Sequence, residues 1–290
     1  MKHLPALAAL LLSPALTVGA DERPPTEARA TGHTPENELF QEAKSELILR
    51  VDYESGDLTT NKEVVADLPP ARDAISIWDY EARSGKFCVR TKVANSADYI
   101  SHGKHRAETT VMKWMPVRYN EGDVFRYRFS LRLSDDWQIE GKLPDGRDSV
   151  DIIWQFKRFE GGPDVFIGVK REEIVMRTAS GTQCTLFGKY TPGKWIDFCV
   201  ISRWSAGPNG FTEVFAKLAT EKEFRKAASL HGPNMRNAKP NSAYLTWGIY
   251  KPDMSNSTAT NPRVVYHDDI VVEKMTGNAS PSQGPTGKKE

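Results

Sequence analysis

Three segments of the sequence alternate between apolar and polar residues, and their polar faces carry side chains suited to an anion or a sugar. Polar positions two apart are typical of β-strands with one face on a core. The polar sets are Arg106, Glu108 and Thr110; Asp151, Gln155 and Lys157; and Tyr244, Thr246, Gly248 and Tyr250. Arginine presents a planar fork to a carboxylate, and tyrosine can exchange a proton or lie under a sugar ring. A merely solvated sheet face is the alternative interpretation.

The sequence patterns of several enzyme and metal-site classes are absent. There is no G-x-S-x-G, H-E-x-x-H, C-x-x-C, P-loop or G-x-G-x-x-G string. His267, Asp268 and Asp269 could offer ligands to a cation, with His267 and Asp269 on one strand face and Asp268 on the other. The alternative is a solvated strand edge with one structural hydrogen bond. We therefore predict no metal site and no cofactor, and leave a structural Ca²⁺ open.

The rest of the sequence predicts strands that would position these faces. Alternating or apolar segments lie at 46–53, 86–93, 124–133, 150–159, 164–170, 173–178, 195–203, 212–216, 244–250 and 264–272. In the fourth segment, Ile152, Trp154 and Phe156 would share the apolar face. Residues 220–229 suggest one short helix. About ten strands with few helices predict an all-β jelly-roll sandwich of two antiparallel sheets. Two small β-domains are the alternative.

The two ends of the chain differ in composition from its body. Residues 1–20 combine a basic start, a short apolar stretch and small residues before Asp21, which predicts a secretory signal cleaved after Ala20. A buried helix or a membrane anchor is the alternative. Residues 21–45 form a polar, proline-rich linker, and residues 276–290 have the composition of a disordered tail. The domain would span 46–275, in a protein secreted to the periplasm or the cell exterior.

Export would place three cysteines in an oxidising compartment. Cys184 and Cys199 lie on neighbouring predicted strands and are the plausible disulfide pair. Three buried thiols, with Cys88 as the third, are the alternative.

The charge balance limits the kind of partner. The chain carries 39 Lys+Arg and 38 Asp+Glu, for a formal net charge of +1, which argues against binding nucleic acid by bulk attraction. Arg126, Arg128 and Arg132 form a stripe that we expect to face solvent. We expect a monomer with no nucleic-acid or membrane partner. An anionic ligand would then require a locally positive groove.

Strings in the three polar-faced strands resemble secreted polysaccharide lyases of the jelly-roll type, the heparin lyase I, glucuronan lyase and alginate lyase relatives. They are H-R-A-E at 105–108, I-W-Q-F-K at 153–157 and Y-L-T-W-G-I-Y-K at 244–251. They are similar to that group's R-[ST]-E, Q-x-H and Y-x-K-x-G-[IV]-Y strands, and the resemblance covers roughly residues 46–275. Lys157 stands where the family has histidine, and Thr246 where it has lysine.

The resemblance implies β-elimination on a uronate-containing anionic polysaccharide bound in a concave cleft. A base removes the C5 proton, an acid protonates the leaving oxygen at C4, and the uronate carboxylate must be neutralised. Arg106 and Gln155 would neutralise it, and Tyr250 would transfer the proton. His102 is the alternative base, favoured over His105 because alternation with Arg106 points His105 away. The remaining binding candidates are Lys157, Tyr244, Glu108 (which would orient Arg106), Lys104, His105 and Lys251.

Two other functions fit the residues less fully. A non-catalytic carbohydrate-binding domain would fit the absence of the family's histidine and lysine, and binding without turnover would identify it. A glycoside hydrolase would need two carboxylates flanking the bond, and no E-x-D-x-E string lies on one strand.

Overall fold

The computed structural model describes residues 44–58, 62–237, 239 and 242–276. The expected signal at 1–20, the linker up to residue 43 and the tail from residue 277 lie outside the described residues. All described residues belong to one compact unit. No helix among them is long and apolar enough to cross a membrane.

The described chain is built almost entirely from β-strands, joined by loops and short 3₁₀ turns. The strands are β1 (Ser45–Val51), β2 (Val65–Asp67), β3 (Ile75–Trp78), β4 (Cys88–Val93), β5 (Ile100–Ser101), β6 (Lys104–Thr110), β7 (Val124–Leu133), β8 (Asp151–Arg158), β9 (Val165–Lys170), β10 (Glu173–Thr178), β11 (Gln183–Phe187), β12 (Ile196–Arg203), β13 (Phe211–Leu218), β14 (Arg225–His231), β15 (Ala243–Lys251) and β16 (Arg263–Met275). The sequence predicted most of the long strands and missed the short ones.

Two eight-stranded sheets contain all of these strands. The first has the order β14-β13-β12-β7-β16-β4-β3, with β1 also paired to β16. The second has the order β11-β10-β9-β8-β15-β6-β2, with β5 paired to β6. One apolar core contains residues of both sheets. The predicted sandwich of two antiparallel sheets is therefore confirmed, and two separate β-domains are excluded.

Aromatic side chains fill the space between the sheets. Phe129 of β7 stacks on Trp154 of β8 with ring centroids 3.7 Å apart, and Trp154 stacks on Trp247 of β15 at 6.0 Å. All three side chains are buried, and burial of each large apolar side chain contributes roughly 1.5–3 kcal/mol. The inner face of the second sheet is thereby fixed, which holds its outer face in a defined shape.

A bulge interrupts the predicted alternation in β8. The pairing of β8 with β15 shifts register between Trp247 and Tyr250, and the pairing of β8 with β9 shifts register between Ile152 and Trp154. Ile153 joins Trp154 in the core, while Ile152 lies opposite Tyr250 on the outer face. The prediction that Ile152 shares the face of Trp154 is therefore wrong, because one extra residue reverses the alternation.

The suggested helix at 220–229 is also wrong. The second half of this segment belongs to β14 (Arg225–His231), which pairs antiparallel with β13 at the edge of the first sheet. Backbone hydrogen bonds to β13 outweigh the local helical preference, and an edge strand tolerates charged side chains.

The arginine stripe of β7 does not form a solvated face. Arg126 and Arg132 are 7% and 3% exposed. Arg126 and Arg128 lie 2.8 and 3.2 Å from Glu273, and Arg132 lies 2.8 Å from Asp135. The expectation of a solvent-facing stripe was therefore wrong for Arg126 and Arg132, whereas Arg128 is exposed as expected.

All three thiols are free. Cys184 lies on β11 and Cys199 on β12, which belong to different sheets, so the disulfide between them was wrongly predicted. Burial raises the pKa of Cys88 and of Cys199 to about 12.

The His267 segment has a structural role. His267 is wholly buried, with its ring centroid 6.3 Å from that of Trp154. Asp268 accepts hydrogen bonds from the backbone N–H groups of Arg83 and Ser84. Asp269 accepts one from the Ser84 hydroxyl. A positive φ of 52° at Asp269 breaks the expected alternation. Among the described residues, no group of three His, Cys, Asp or Glu side chains is arranged to hold a metal.

Candidate active site

The predicted polar faces of β6, β8 and β15 meet on the outer face of the second sheet, where they line a groove of about 510 Å³. The residues of these three strands that line it are Arg106, Glu108, Thr110, Lys157, Arg158, Tyr244 and Thr246. Residues that are far apart in the chain thus form one surface.

Strand register explains how these side chains meet. The central strand β15 pairs with β6 on one side and with β8 on the other. Gly248 lies opposite Glu108, and Tyr250 lies opposite Arg106. Thr246 lies opposite Gln155. Residues directly opposite each other share a face of the sheet. The side chains of these paired positions therefore all lie on the groove face.

Gly248 makes the centre of this arrangement possible. Its φ of 129° lies in the region that favours glycine, and a Cβ there would lie 2.3 Å from the carbonyl oxygen of Ala107. The same Cβ would lie 2.9 Å from Cα of Glu108, so glycine allows β6 to lie close to β15. Across this central strand, Gln155 of β8 donates a hydrogen bond through Nε2 to Oε1 of Glu108 on β6.

Glu108 connects the two groups that were predicted to neutralise a carboxylate. Its Oε2 lies 3.7 Å from Nη1 of Arg106, while its Oε1 accepts from Gln155. All three side chains are buried. Nε of Arg106 and Oε1 of Gln155 have no hydrogen-bond partner within the described part of the chain. A buried donor without a partner costs free energy, and a ligand carboxylate would be a fitting acceptor for Arg106.

Tyr250 contacts Arg106 at one end of the groove. The guanidinium carbon of Arg106 lies 4.4 Å from the centroid of the Tyr250 ring, within cation–π range. Tyr250 is half-buried and lies just outside the cavity lining, on the same face of β15 as Tyr244. The predicted proton-transfer and neutralising groups are therefore neighbours.

His102 lies at the tip of the hairpin that joins β5 and β6. Ser101 pairs with Lys104, and the two residues between them have φ values of 48° and 72°. Positive φ at both turn positions is the signature of a type I′ turn, which Gly103 favours. His102 is exposed and lines the groove. Lys104 is exposed at the base of the hairpin and lies outside the cavity lining, so its binding role stays a prediction.

His105 points away from the groove. It precedes Arg106 on β6, so alternation places it on the other face, and it is 9% exposed. Burial lowers the pKa of His105, against the opposing effect of a hydrogen bond to the Ser96 backbone. The sequence-based assignment of His105 to substrate binding is therefore wrong.

Lys251 also points away, into a buried ion cluster that consists of Lys251, Arg263, Glu140, Asp151 and Asp253. Its Nζ lies 2.8 Å from Glu140, 3.0 Å from Asp253 and 3.5 Å from Asp151, and it is wholly buried. The assignments of Lys251 to substrate binding and of Asp151 to the groove face were wrong. Lys251 follows Tyr250 by one position, and the β8 bulge moves Asp151 to the same side.

Sequence reasoning missed Phe159 and Arg158, which also line the groove. Phe159 continues the spacing of Gln155 and Lys157, so the period of two could have identified it. Arg158 lies at the end of β8, where it donates from Nε to Oδ2 of Asp164 at 2.7 Å.

The groove lining is positively charged. Its described residues include the cations Arg106 and Lys157 and the anion Glu108, while the charge of Arg158 is balanced by its ion pair with Asp164. The locally positive groove that an anionic ligand requires is therefore present in a chain whose formal net charge is +1.

Comparison with known proteins agrees with this geometry. A family model described as polysaccharide lyase matches residues 53–271, which is most of the chain. The protein therefore belongs to the polysaccharide lyase family, and the resemblance drawn from the three strands is confirmed. It is an enzyme of that class, acting on polysaccharide. A search of curated protein sequences finds no match.

Solved structures show how widely this fold is used. The endo-β-1,4-glucuronan lyase of the fungus Trichoderma reesei is 15% identical, with a TM-score of 0.60 over 82% of this chain and 100% of that one. An alginate lyase from Klebsiella pneumoniae is 8% identical, with a TM-score of 0.51 over 79% and 99%. A GH131 β-glucanase catalytic domain from Podospora anserina is 13% identical, with a TM-score of 0.50 over 83% and 95%. At such identities the likeness shows the fold alone, and chemistry has to be argued from the site.

Proposed function

We propose that the protein cleaves a uronate-containing polysaccharide by β-elimination in this groove. The contact between Arg106 and Tyr250 carries the proposal, because it brings a carboxylate-binding group and a proton-transfer group together on one face. The positive lining supports an anionic polymer.

The first requirement of the reaction is a C5 proton that can be removed. The uronate carboxylate beside C5 carries negative charge, which opposes the carbanion-like state that forms as the proton leaves. The Arg106 guanidinium and the second N–H of Gln155 Nε2 would donate to this carboxylate and stabilise the developing charge. Glu108 would act by positioning both of them.

The second requirement is a base and an acid. Tyr250, as the phenolate, would take the C5 proton, and the C4–O bond would break as the C4=C5 double bond forms. The phenol formed in this way would give its proton to the leaving oxygen and so return to the phenolate. One residue can perform both transfers if the proton and the leaving group lie on the same sugar face. His102 is the alternative base, since it lines the groove from the hairpin tip.

The proposed substrate is a polyuronate, with glucuronan as the first polymer to test. The glucuronan and alginate lyases that share this fold support that choice. Lys157 and Tyr244 would bind neighbouring sugar units. We further propose that residues 1–20 direct export, which would bring the enzyme to polymers outside the cell, where it acts as a monomer.

A screen of purified protein against glucuronan, alginate and heparin tests the proposal. β-Elimination produces an unsaturated uronate, which is detected by its ultraviolet absorbance. New reducing ends without that absorbance would indicate hydrolysis and refute the lyase mechanism.

A non-catalytic carbohydrate-binding role is the second candidate, favoured by Lys157 and Thr246 at the positions where the family has histidine and lysine. Saturable binding to a polyuronate with no product would support it. Hydrolysis has less support, because Glu108 is the only carboxylate among the described lining residues and a hydrolase requires a pair.

A further inference from the structure

The groove continues beyond the reacting end to an exposed aromatic ring. Phe159 follows β8 and is 50% exposed, among the few large apolar side chains of the described chain that are open to solvent. Its backbone N–H donates to the carbonyl of Ser242 at 3.1 Å, which fixes where the ring emerges. Since Phe159 lines the groove, its exposed surface faces the space that a polymer would occupy.

Two neighbouring side chains hold the ring of Phe159. The Arg118 guanidinium carbon lies 5.1 Å from its centroid, and the Tyr244 ring lies 5.1 Å away with an interplanar angle of 41°. Arg118 is anchored in turn, because its Nη2 donates to the carbonyl of Met112 at 2.8 Å. We call Phe159, Tyr244 and Arg118 the aromatic shelf.

The chemistry of the shelf matches that of a sugar acid. Aromatic faces pack against the C–H groups of a pyranose ring, and few polar groups are then needed to orient it. The Arg118 guanidinium on the shelf and Lys157, which lies opposite Tyr244 on β8, are cations suited to a carboxylate. A uronate offers both an apolar ring face and a carboxylate.

The shelf is too far from Tyr250 for one sugar to contact both. Residues 244 to 250 of β15 span about 20 Å at the rise of an extended strand, which exceeds the length of a pyranose ring. We propose that the aromatic shelf binds a second uronate of the same polysaccharide, separated along the chain from the uronate that reacts. This inference rests on the proposed polyuronate substrate and implies that the enzyme favours long chains with more than one uronate.

Phe159→Ala tests the shelf directly. We would measure kcat/KM on long glucuronan and on a trisaccharide that fills only the reacting end. The ratio of the long-chain value to the trisaccharide value should fall about twofold to tenfold, the range of an aromatic contact. Phe159→Trp keeps an aromatic face and should retain most of the ratio. Tyr80→Ala, which removes a 64% exposed aromatic ring outside the groove lining, is the matched control and should leave the ratio unchanged.

A binding measurement separates failure of the shelf from failure of the proposed function. If the wild type is active but Phe159→Ala keeps the wild-type ratio, the shelf is refuted and the lyase proposal stands. If the wild type makes no unsaturated product, titration of long glucuronan and of its carboxyl-reduced form still tests the shelf. Weaker binding of the long polymer by Phe159→Ala, with a smaller change for the reduced polymer, supports the shelf; equal binding of the long polymer refutes it. Circular dichroism of each variant excludes misfolding as the cause.

Discussion

Tyr250 and Lys251 are neighbours on β15, yet they belong to two charged regions of opposite character. Tyr250 lies in the groove cluster, which consists of Arg106, Glu108, Gln155 and Tyr250. Lys251 lies in the buried ion cluster on the other side of the sheet. Lys251 has three carboxylates within 3.5 Å, whereas Arg106 lies 3.7 Å from the carboxylate of Glu108.

The two regions differ in how closely their buried polar atoms are paired with opposite charges. Glu140 accepts hydrogen bonds or ion pairs from Lys251, Arg263 and Ser149 and from the 257–258 turn, so it joins several loops at one end of the sandwich. In the buried ion cluster, Oδ1 of Asp151, Oδ1 of Asp253 and Nε of Arg263 have no hydrogen-bond partner among the described residues, but each lies within 3.5 Å of an opposite charge. In the groove cluster, Nε of Arg106 and Oε1 of Gln155 also have no hydrogen-bond partner in the described part of the chain, and Arg106 lies 3.7 Å from the carboxylate of Glu108. Polar side chains that are paired within the protein stabilise the fold, and polar side chains that keep a donor or acceptor beside a groove can bind a ligand.

The largest effect we expect is the loss of turnover in Tyr250→Phe. Removal of a proton-transfer group should lower kcat by roughly 10²–10⁴-fold, while the thermal unfolding midpoint stays close to that of the wild type. Rates come from the absorbance of the unsaturated product. Tyr244→Phe, on the same face of the same strand, should lose far less activity; equal losses would contradict the assignment.

Lys251→Met should show the reverse pattern. It leaves the buried carboxylates of Glu140 and Asp151 without one of their two cations, which should cost about 3–5 kcal/mol of unfolding free energy, measured by denaturant titration. The folded fraction should keep a kcat close to that of the wild type. Lys157→Met, on the groove side, should change stability little and weaken substrate binding. A stability loss at Lys157 as large as that at Lys251 would remove the distinction between the two regions.

Gly248→Ala should affect both stability and activity, to a smaller extent. Its positive φ and the close approach to the Ala107 carbonyl predict a cost of about 1–3 kcal/mol, and displacement of β6 would disturb Glu108. Gly141 has open space around its Cβ position, so Gly141→Ala is the matched control. Gly248→Ala with wild-type stability and kcat would show that this close approach is not required.

The smallest effect is a shallow acid sensitivity from the buried ion cluster. Burial acts to raise the pKa of Glu140, but hydrogen bonds from Lys251, Ser149 and Ser257 outweigh it and hold the pKa well below its ordinary value. This stabilisation is fully present above the unfolded pKa of about 4.3 and is lost as the pH falls towards the lowered pKa. At pH ~4 the loss from this group should be about 0.6 kcal/mol. Denaturant titrations at several pH values should show a smaller acid loss in Lys251→Met than in the wild type; a steeper one would contradict this account.

The sequence was most informative where one simple period holds. Alternation placed Arg106, Glu108 and Lys157 on one surface, and the same rule ranked His105 below His102 as the base, although His105 was still assigned to binding. The rule could equally have excluded Lys251, which stands one position from Tyr250, and identified Phe159, which stands two positions from Lys157. Those two errors came from incomplete use of the period.

Other features depend on contacts that no local pattern contains. The bulge at Ile153 arises from the register of β8 against two neighbours, and it moves Asp151 from the groove side into the buried ion cluster. The strand at Arg225–His231 exists because β13 offers it backbone partners. The link from Gln155 to Glu108 needs both the pairing of three strands and a glycine between them.

The position of β16 has a consequence for how the molecule is made. This final strand of the described chain lies in the interior of the first sheet, where it pairs with β7, β4 and β1. A growing polypeptide cannot complete that sheet until Arg263–Met275 has left the ribosome. Until then, the edges of β1, β4 and β7 that pair with β16 have unpaired backbone groups. Late pairing of distant segments slows folding and exposes such edges to aggregation. Chaperone demand should therefore depend on how long β1, β4 and β7 stay unpaired, during synthesis and during the export proposed above.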